Sequence, residues 1–342
     1  MQPFNIFDAD PALVFSFARQ QSHVLNARIY EIEYPEMDYA ALVPVNRNYP
    51  EWASGVDTLI GDIVGKAEWQ SGYAKDIPLA DTTLAMVSTN FDMYAVGYQW
   101  NIEELGKAAF QGFPLTNRRA EAARRASEEF LWNNVLTGST QKKWTGLINS
   151  QYITPFALPA DGTGSARAWV NNSGVGQKTP EQIVRDINYL IMGPMAAPNT
   201  PLASTLADTV LLPPLAYRYV ATTPYGVTSP NMSILQYVLA NNVYTIRTGR
   251  PLMVRELNEL ATAATDSSGQ GGANLAGQGR AIGYRNSEDV LELPLPMPFR
   301  FLQTYQDGPL NYVVPGISRT GPVDIKRPMA VRYGDGLTLA PA

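Results

Sequence analysis

The chain has 342 residues, no cysteine, one histidine and a formal net charge of -5. This excludes disulfides, thiolate metal sites and thiol nucleophiles, and it leaves the molecule without the basic excess that sequence-independent phosphate binding requires. Hydrophobic residues make up 45% and charged residues only 17%, so part of the surface is expected to meet other chains. The length suits one large domain with insertions, or two subdomains. No basic segment precedes an apolar run within Met1 to Gln20, so no secretory signal is expected there. No apolar stretch reaches membrane-spanning length, so no membrane contact is expected.

Residues 1–50 read as an arm with one short helix, in which Asp10 caps, Pro11 takes the first position and Leu13, Val14 and Phe17 share a face. After Tyr34-Pro35 the chain is expected to be extended, because Pro44 and Pro50 oppose a helix and Ala41, Val43 and Val45 alternate. Residues 57–100 read as a ribbon of two strands, about 58–69 and 83–98. Tyr94, Val96 and Tyr98 alternate in the second strand, and turn residues Ser71-Gly72-Tyr73 and Asp76-Ile77-Pro78 lie between the two. A two-stranded ribbon is marginal in water, so this one needs another surface to lie on. Trp52, Trp69 and Trp100 border it, as interface anchors or local core.

Asn101 opens a helix with Glu104 as its capping-box partner, and Gly112 and Pro114 interrupt it. A longer helix is predicted over 116–136, ending at Gly138. Glu121-Arg125, Arg124-Glu128 and Arg125-Glu129 are spaced four apart along it, and Ala123, Ala126, Phe130, Leu131 and Val135 form its apolar side. Residues 161–176 are rich in Gly, Ser, Asn and Thr and mark a loop and a candidate boundary. Thr179-Pro180-Glu181-Gln182 begins a helix that carries Ile183, Ile187, Leu190 and Ile191. Beyond it, a strand is predicted over 209–212, helices from Pro213 and over 233–239, and a strand over 243–247, which together indicate an α/β unit. Residues 262–279 read as a mobile loop, and strands follow near 290–293, 299–304, 310–314 and 329–333.

Signals for chemistry are thin. His23 lies in the arm with no acidic neighbour, which suits a surface or interface histidine better than a triad or metal ligand. Glu103-Glu104 and Glu128-Glu129 diverge by about 100° on a helix, so neither pair converges on one ligand. The glycines at 269, 271 and 272 have no lysine behind them and lead into a β pattern, so a flexible loop is expected in place of a phosphate cradle. Arg118, Arg119, Arg124 and Arg125 are interleaved with glutamates, as in a salt-bridge ladder. No catalytic residue, cofactor or metal is assigned.

The passage from Tyr98-Gln99-Trp100-Asn101-Ile102-Glu103-Glu104-Leu105 through Glu128-Glu129-Phe130 and Asn133 to Gly138, then Gly146-Leu147-Ile148, resembles the tailed-phage major capsid protein family. That family has the Hong Kong ninety-seven type fold, which encapsulin shells share. The resemblance implies an α+β fold with an N-terminal arm at 1–50 and an extended β loop at 51–98. It further implies a peripheral domain at 99–175 and 286–342 with a spine helix at 116–136, and an axial domain at 176–285. Intersubunit contacts would come from Trp52, Lys66, Trp69, Tyr73, Lys75 and Tyr94. Arg118, Glu121, Arg125, Glu129 and Phe130 would mark the spine helix, and Gly269, Gly271 and Gly272 the axial loop.

The function implied is self-assembly into hexamers and pentamers of an icosahedral head around double-stranded DNA, in a virion built in the host cytoplasm. Packaged DNA would be touched only weakly, and portal, scaffold and decoration proteins are further expected partners. No built-in scaffold segment and no lysine crosslink are expected. An encapsulin-type compartment enclosing a cargo enzyme is the nearest alternative; a hydrolase or carbohydrate-binding module is a remote one.

Overall fold

The structure, a computed structural model, describes residues 37–64, 69, 81–110, 115–193, 206–226, 229–265 and 275–339. The expected first helix, His23, Lys66, Tyr73, Lys75, Gly269, Gly271 and Gly272 lie outside the described residues. From Met37 onward the chain forms one compact unit.

Helix α1 (Tyr39–Leu42) occupies the stretch expected to be extended. Asp38 Oδ1 accepts the Ala41 N–H at 3.2 Å, and one turn fits before Pro44 can interfere. Strand β1 (Val45–Asn46) follows, then β2 (Gly55–Val64) and β3 (Asp81–Asn90). The expected second strand of the ribbon is in fact three, because the chain continues into β4 (Asp92–Ala95) and β5 (Tyr98–Asn101), which pair elsewhere. The break falls at Phe91, a buried ring whose N–H donates to Ser54 O at 2.9 Å.

Helix α2 (Ile102–Phe110) begins with Asn101 Oδ1 accepting the Glu103 N–H at 2.9 Å. The 22-residue α3 (Leu115–Leu136) is the expected long helix, and Gly138 past its end has the left-handed φ of 72°. Leu147 and Ile148 donate their N–H groups to the carbonyls of Val135 and Leu136 at 2.8 and 3.1 Å, satisfying acceptors that a helix end leaves open. The buried stripe of α3 differs from the expected one. It comprises Ala123, Ser127, Leu131, Asn134, Val135 and Leu136, while Ala126 and Phe130 are exposed. Small polar residues lie inward because they hydrogen-bond there: Ser127 with Tyr94 Oη at 2.9 Å, and Asn134 Nδ2 to Gly321 O at 3.0 Å.

Strand β6 (Phe156–Ala157) leads to α4 (Pro180–Met192), whose Thr179–Gln182 capping box is fully formed. Then come β7 (Thr209–Leu212), α5 (Pro214–Thr222), β8 (Pro224–Gly226), β9 (Ser229–Ser233), α6 (Ile234–Ala240), α7 (Val243–Thr248) and β10 (Met253–Glu256). Residues 243–247 were expected to be a strand and form α7 instead. Asn242 Oδ1 accepts the Thr245 N–H at 2.7 Å and Gly249 closes the end at φ 69°, so the caps outweigh β-branched content. The remaining strands are β11 (Arg280–Tyr284), β12 (Leu291–Pro294), β13 (Met297–Phe301), β14 (Tyr305–Gln306), β15 (Asn311–Val314), β16 (Gly316–Thr320), β17 (Asp324–Ile325) and β18 (Val331–Asp335).

The architecture is α+β around a five-stranded mixed sheet of order β10-β7-β11-β18-β6. Both faces are buried, and period two divides them. Leu211, Ile282, Tyr284, Val331 and Tyr333 enter one core with Val135, Leu136 and Leu147; Val210, Leu212 and Ala281 enter a second core with α4, α5, α6 and α7. A Cβ on Gly283 would come within 2.3 Å of Leu190 O, so this glycine is what lets α4 lie close on β11. Arg280 reaches Asp335 through two bonds of 2.6 and 2.8 Å and Ile148 O at 2.7 Å, tying the sheet to the passage after α3. The Gly/Ser stretch at 161–176 is likewise pinned. Fully buried Lys178 meets Asp186 at 2.6 Å and Asp161 at 3.2 Å, and the Trp169 indole donates to Asp186 at 3.0 Å.

Candidate assembly surfaces

Strands β2 and β3 pair antiparallel without a break, from Gly55 opposite Asn90 to Val64 opposite Asp81. Among the described residues neither pairs with a third strand. The ribbon therefore carries two unsatisfied edges over ten residues, together with exposed Met86 and Val87. A free hairpin of this kind gains too little from its own contacts to be stable alone.

The root of the ribbon is held firmly. Glu51 takes both outer nitrogens of Arg300, at 3.2 and 3.0 Å. Arg319 donates to Glu51 O at 3.2 Å and to Phe91 O at 3.4 Å, and its guanidinium lies 5.9 Å from the Trp52 ring centre. Lys142 meets Asp92 at 3.2 Å, and Phe91 packs against Tyr49 with ring centres 5.3 Å apart. Tyr49 in turn donates to buried Glu292 at 2.7 Å, where Lys326 also binds at 2.9 Å. Burial pushes Glu292 up, but the bonds from Tyr49, Lys326 and Asn46 outweigh it and hold the carboxyl below the usual range.

The predicted contact residues that are described range from fully exposed to half-buried. Trp52 is 67% exposed at the ribbon root, and Trp69 is fully exposed. Tyr94 lies on β4, beyond the paired part of the ribbon. It is half-buried and faces α3, with its ring 4.4 Å from that of Phe130 and its hydroxyl on Ser127. Trp100 also belongs to an internal cluster, near Tyr98 at 5.7 Å and Tyr312 at 6.1 Å. On α3, Glu121 and Glu129 are exposed, Arg118 and Arg125 are half-buried, and Phe130 is 46% exposed. Arg124 lies over the Phe301 ring at 5.7 Å, and Arg119 binds Glu104 at 3.0 Å and also Gln99 O. The hydrogen bond and charge of Arg119 hold the Glu104 carboxyl below its ordinary value.

Sequence reasoning missed Glu51, Arg300, Arg319 and Glu292, which each have a partner more than two hundred positions away with no local pattern to announce it. It also missed how bare α2 is. Ala108 is its only buried residue, and Ile102, Leu105 and Phe110, the last 93% exposed, are turned outward. A nine-residue helix with so little packing does not persist by propensity alone.

Among the described residues there is no cluster of acidic or histidine side chains able to hold a metal, and no helix long and apolar enough to cross a membrane. A closed double core, a ribbon that pairs with no third strand among the described residues on an ion-clamped root, and a bare helix are the features of this chain that bear on assembly. The family model described as major capsid protein matches residues 65–337, and the chain belongs to that family. In fold it is similar to the capsid of Myoviridae phage XM1, with TM-score 0.71, 18% identity and coverage of 94% of this chain and 98% of that one. It is also similar to the capsid of a native GTA particle, with TM-score 0.60, 12% identity and coverage of 96% and 99%. The same holds for Mycobacterium phage Ogopogo, with TM-score 0.56, 12% identity and coverage of 94% and 98%. No curated protein matches the sequence.

Proposed function

We propose that this major capsid protein self-assembles into hexamers and pentamers that form the icosahedral head of a tailed bacteriophage around double-stranded DNA. The observation that carries the reading is the ten-residue ribbon with both edges unpaired on an ion-clamped root. Laid over an adjacent copy, such a ribbon hides edges that would otherwise recruit strands without limit. Head-to-tail contacts of this kind close into rings, and rings that meet with slight curvature close into a shell. Each stable contact buries on the order of 1,600 Å², and several per subunit multiply through avidity.

In this reading Trp52, Lys66, Trp69, Tyr73, Lys75 and Tyr94 contact the neighbour, Tyr94 through the part of its side chain that its contacts with Phe130 and Ser127 leave uncovered. Residues 99–175 and 286–342 form the peripheral region, and 176–285 the axial one, with Gly269, Gly271 and Gly272 near the ring centre. The chain acts as structure, without chemistry of its own. DNA is touched weakly, as the net charge of -5 requires. Portal, scaffold and decoration proteins are its further partners, and assembly takes place in the host cytoplasm.

Deleting residues 65–79 tests the ribbon. The expected product is a folded, soluble subunit that forms no closed particles in negative-stain micrographs. Shells of ordinary size and yield from the deletion would defeat the assignment.

A further inference from the structure

Charge is spread unevenly along the chain. Residues 187–255 contain four arginines, Arg218, Arg247, Arg250 and Arg255, and a single acid, Asp208, in a protein whose net charge is -5. A basic stretch inside an acidic molecule suits a local anionic partner that the molecule as a whole would not attract. The fold gathers part of this charge at one end of the five-stranded sheet. Asp208 stands just before β7 and Arg285 just after β11, beside the paired residues Thr209 and Tyr284. Met253, the first residue of β10, also pairs with Thr209, so the turn from α7 into β10 arrives at the same end. In that turn Gly249 has its left-handed φ, and Thr248 Oγ1 accepts the Arg250 N–H at 3.2 Å.

The result is an open cleft of about 300 Å³ lined by Leu206, Asp208, Tyr244, Thr248, Arg250 and Arg285. Asp208 is engaged in building the cleft, since its Oδ1 accepts the Thr209 hydroxyl at 2.9 Å and the Asn286 N–H at 2.8 Å. Arg247 lies in the last turn of α7, where a cation offsets the negative helix end. Arg250 lies past that end, is exposed and forms no ion pair among the described residues. Two guanidinium groups on one cleft fit the oxygens of a phosphate, which arginine binds through paired N–H bonds. The Asp208 carboxylate beside them keeps each contact weak, which suits a ligand with many phosphates met by many subunits over a free ion met by one. We propose that this cleft holds a backbone phosphate of the packaged duplex, with Arg250 and Arg285 on its oxygens. The proposal rests on the shell reading, which puts DNA beside the chain, and deepens it by naming where the two touch.

The test titrates a short labelled duplex with the full-length, unassembled subunit at several salt concentrations and follows fluorescence anisotropy. Arg250→Gln should weaken binding several-fold and reduce the slope of log affinity against log salt by about one. Arg250→Lys should keep most of that slope, and Arg218→Gln on α5, outside the cleft, should change neither quantity. Equal losses from Arg218→Gln and Arg250→Gln would overturn the proposal, because a diffuse field would then replace a site. Polyglutamate that competes as strongly as unlabelled duplex would overturn it in favour of an acidic protein. Inorganic phosphate that depends on Arg250 while the duplex does not would overturn it in favour of a free ion. In assembled particles, Arg250 should react more slowly with phenylglyoxal when DNA is inside than after its release, and equal reactivity would again overturn the assignment. Shell formation is read separately in micrographs. Arg250→Gln particles of ordinary form whose DNA contact is unchanged would sink this inference and leave the shell reading intact, whereas an unmodified chain that forms no particles would remove the shell reading and the packaged duplex with it.

Discussion

Glu292 on β12 and Asp324 on β17 stand directly opposite each other, and their surroundings push them in contrary directions. Burial raises the Asp324 carboxyl and the Glu292 charge raises it further, with Lys326 offsetting only part. Glu292 is held low by Tyr49, Lys326 and Asn46. The two therefore pull stability opposite ways. The ionised form of Asp324 strains the fold at neutral pH, and the strain is relieved as pH falls through its raised folded value. The contribution of Glu292 is complete above the unfolded carboxylate value and is lost as pH falls through its own lower folded value. Asp324→Asn should accordingly raise the melting temperature of the unassembled subunit at neutral pH, and the advantage should shrink as pH falls through the raised folded value of Asp324 and be gone below about pH 4, the ordinary carboxylate value. A melting curve with no gain at neutral pH would show that the opposed charges are not what strains this pair.

At the scale of elements, the passage after α3 is the tightest piece of backbone engineering in the chain. A Cβ on Gly146 would lie 2.2 Å from Leu136 O and 2.4 Å from its carbonyl carbon, both fixed by the helix end. Gly146→Ala should destabilise by about 1–3 kcal/mol, as overpacking does, seen as a lower urea midpoint. Gly106→Ala on the bare α2, where nothing lies within 4 Å, should stabilise by up to about 1 kcal/mol. If both variants shifted the midpoint equally, close backbone approach would not be what selects glycine at 146. Elements of this sort were legible when their determinants are local: the box at Thr179–Gln182, the helix end at Gly138 and the Gly146-Leu147 pair all lie within a few residues of what they control. Helix α7 was misread because valine, tyrosine and threonine suggest a strand, while a single asparagine cap and Gly249 decide otherwise. The break at Phe91 was invisible because β4 finds its partner, β16, more than two hundred residues downstream. The candidate site was legible to the same degree. Trp52 and Trp69 stand out as exposed aromatics, but the ion pair of Glu51 with Arg300 and the bonds of Arg319 beside Trp52 join residues more than two hundred positions apart.

On the scale of the whole molecule, the five-stranded sheet draws β7, β10 and β11 from 176–285 and β6 and β18 from the segments on either side. The regions that the family resemblance separates are thus bound by one continuous hydrogen-bonded layer. The ribbon root depends on the same late part of the chain, since Glu51 and Arg300 are 249 positions apart. During synthesis at roughly 5–20 residues per second, the ribbon would leave the ribosome roughly 12–50 s before its clamp exists. For that interval the two unpaired edges of the ribbon would lack the ion pair and arginine bonds that hold its root. Stalled ribosome complexes should reveal this timing. A chain halted before residue 300 should be cut by protease at 51–54, and one halted well beyond residue 320 should resist. Equal resistance in both would mean that the ribbon finds its bearing without the late arginines.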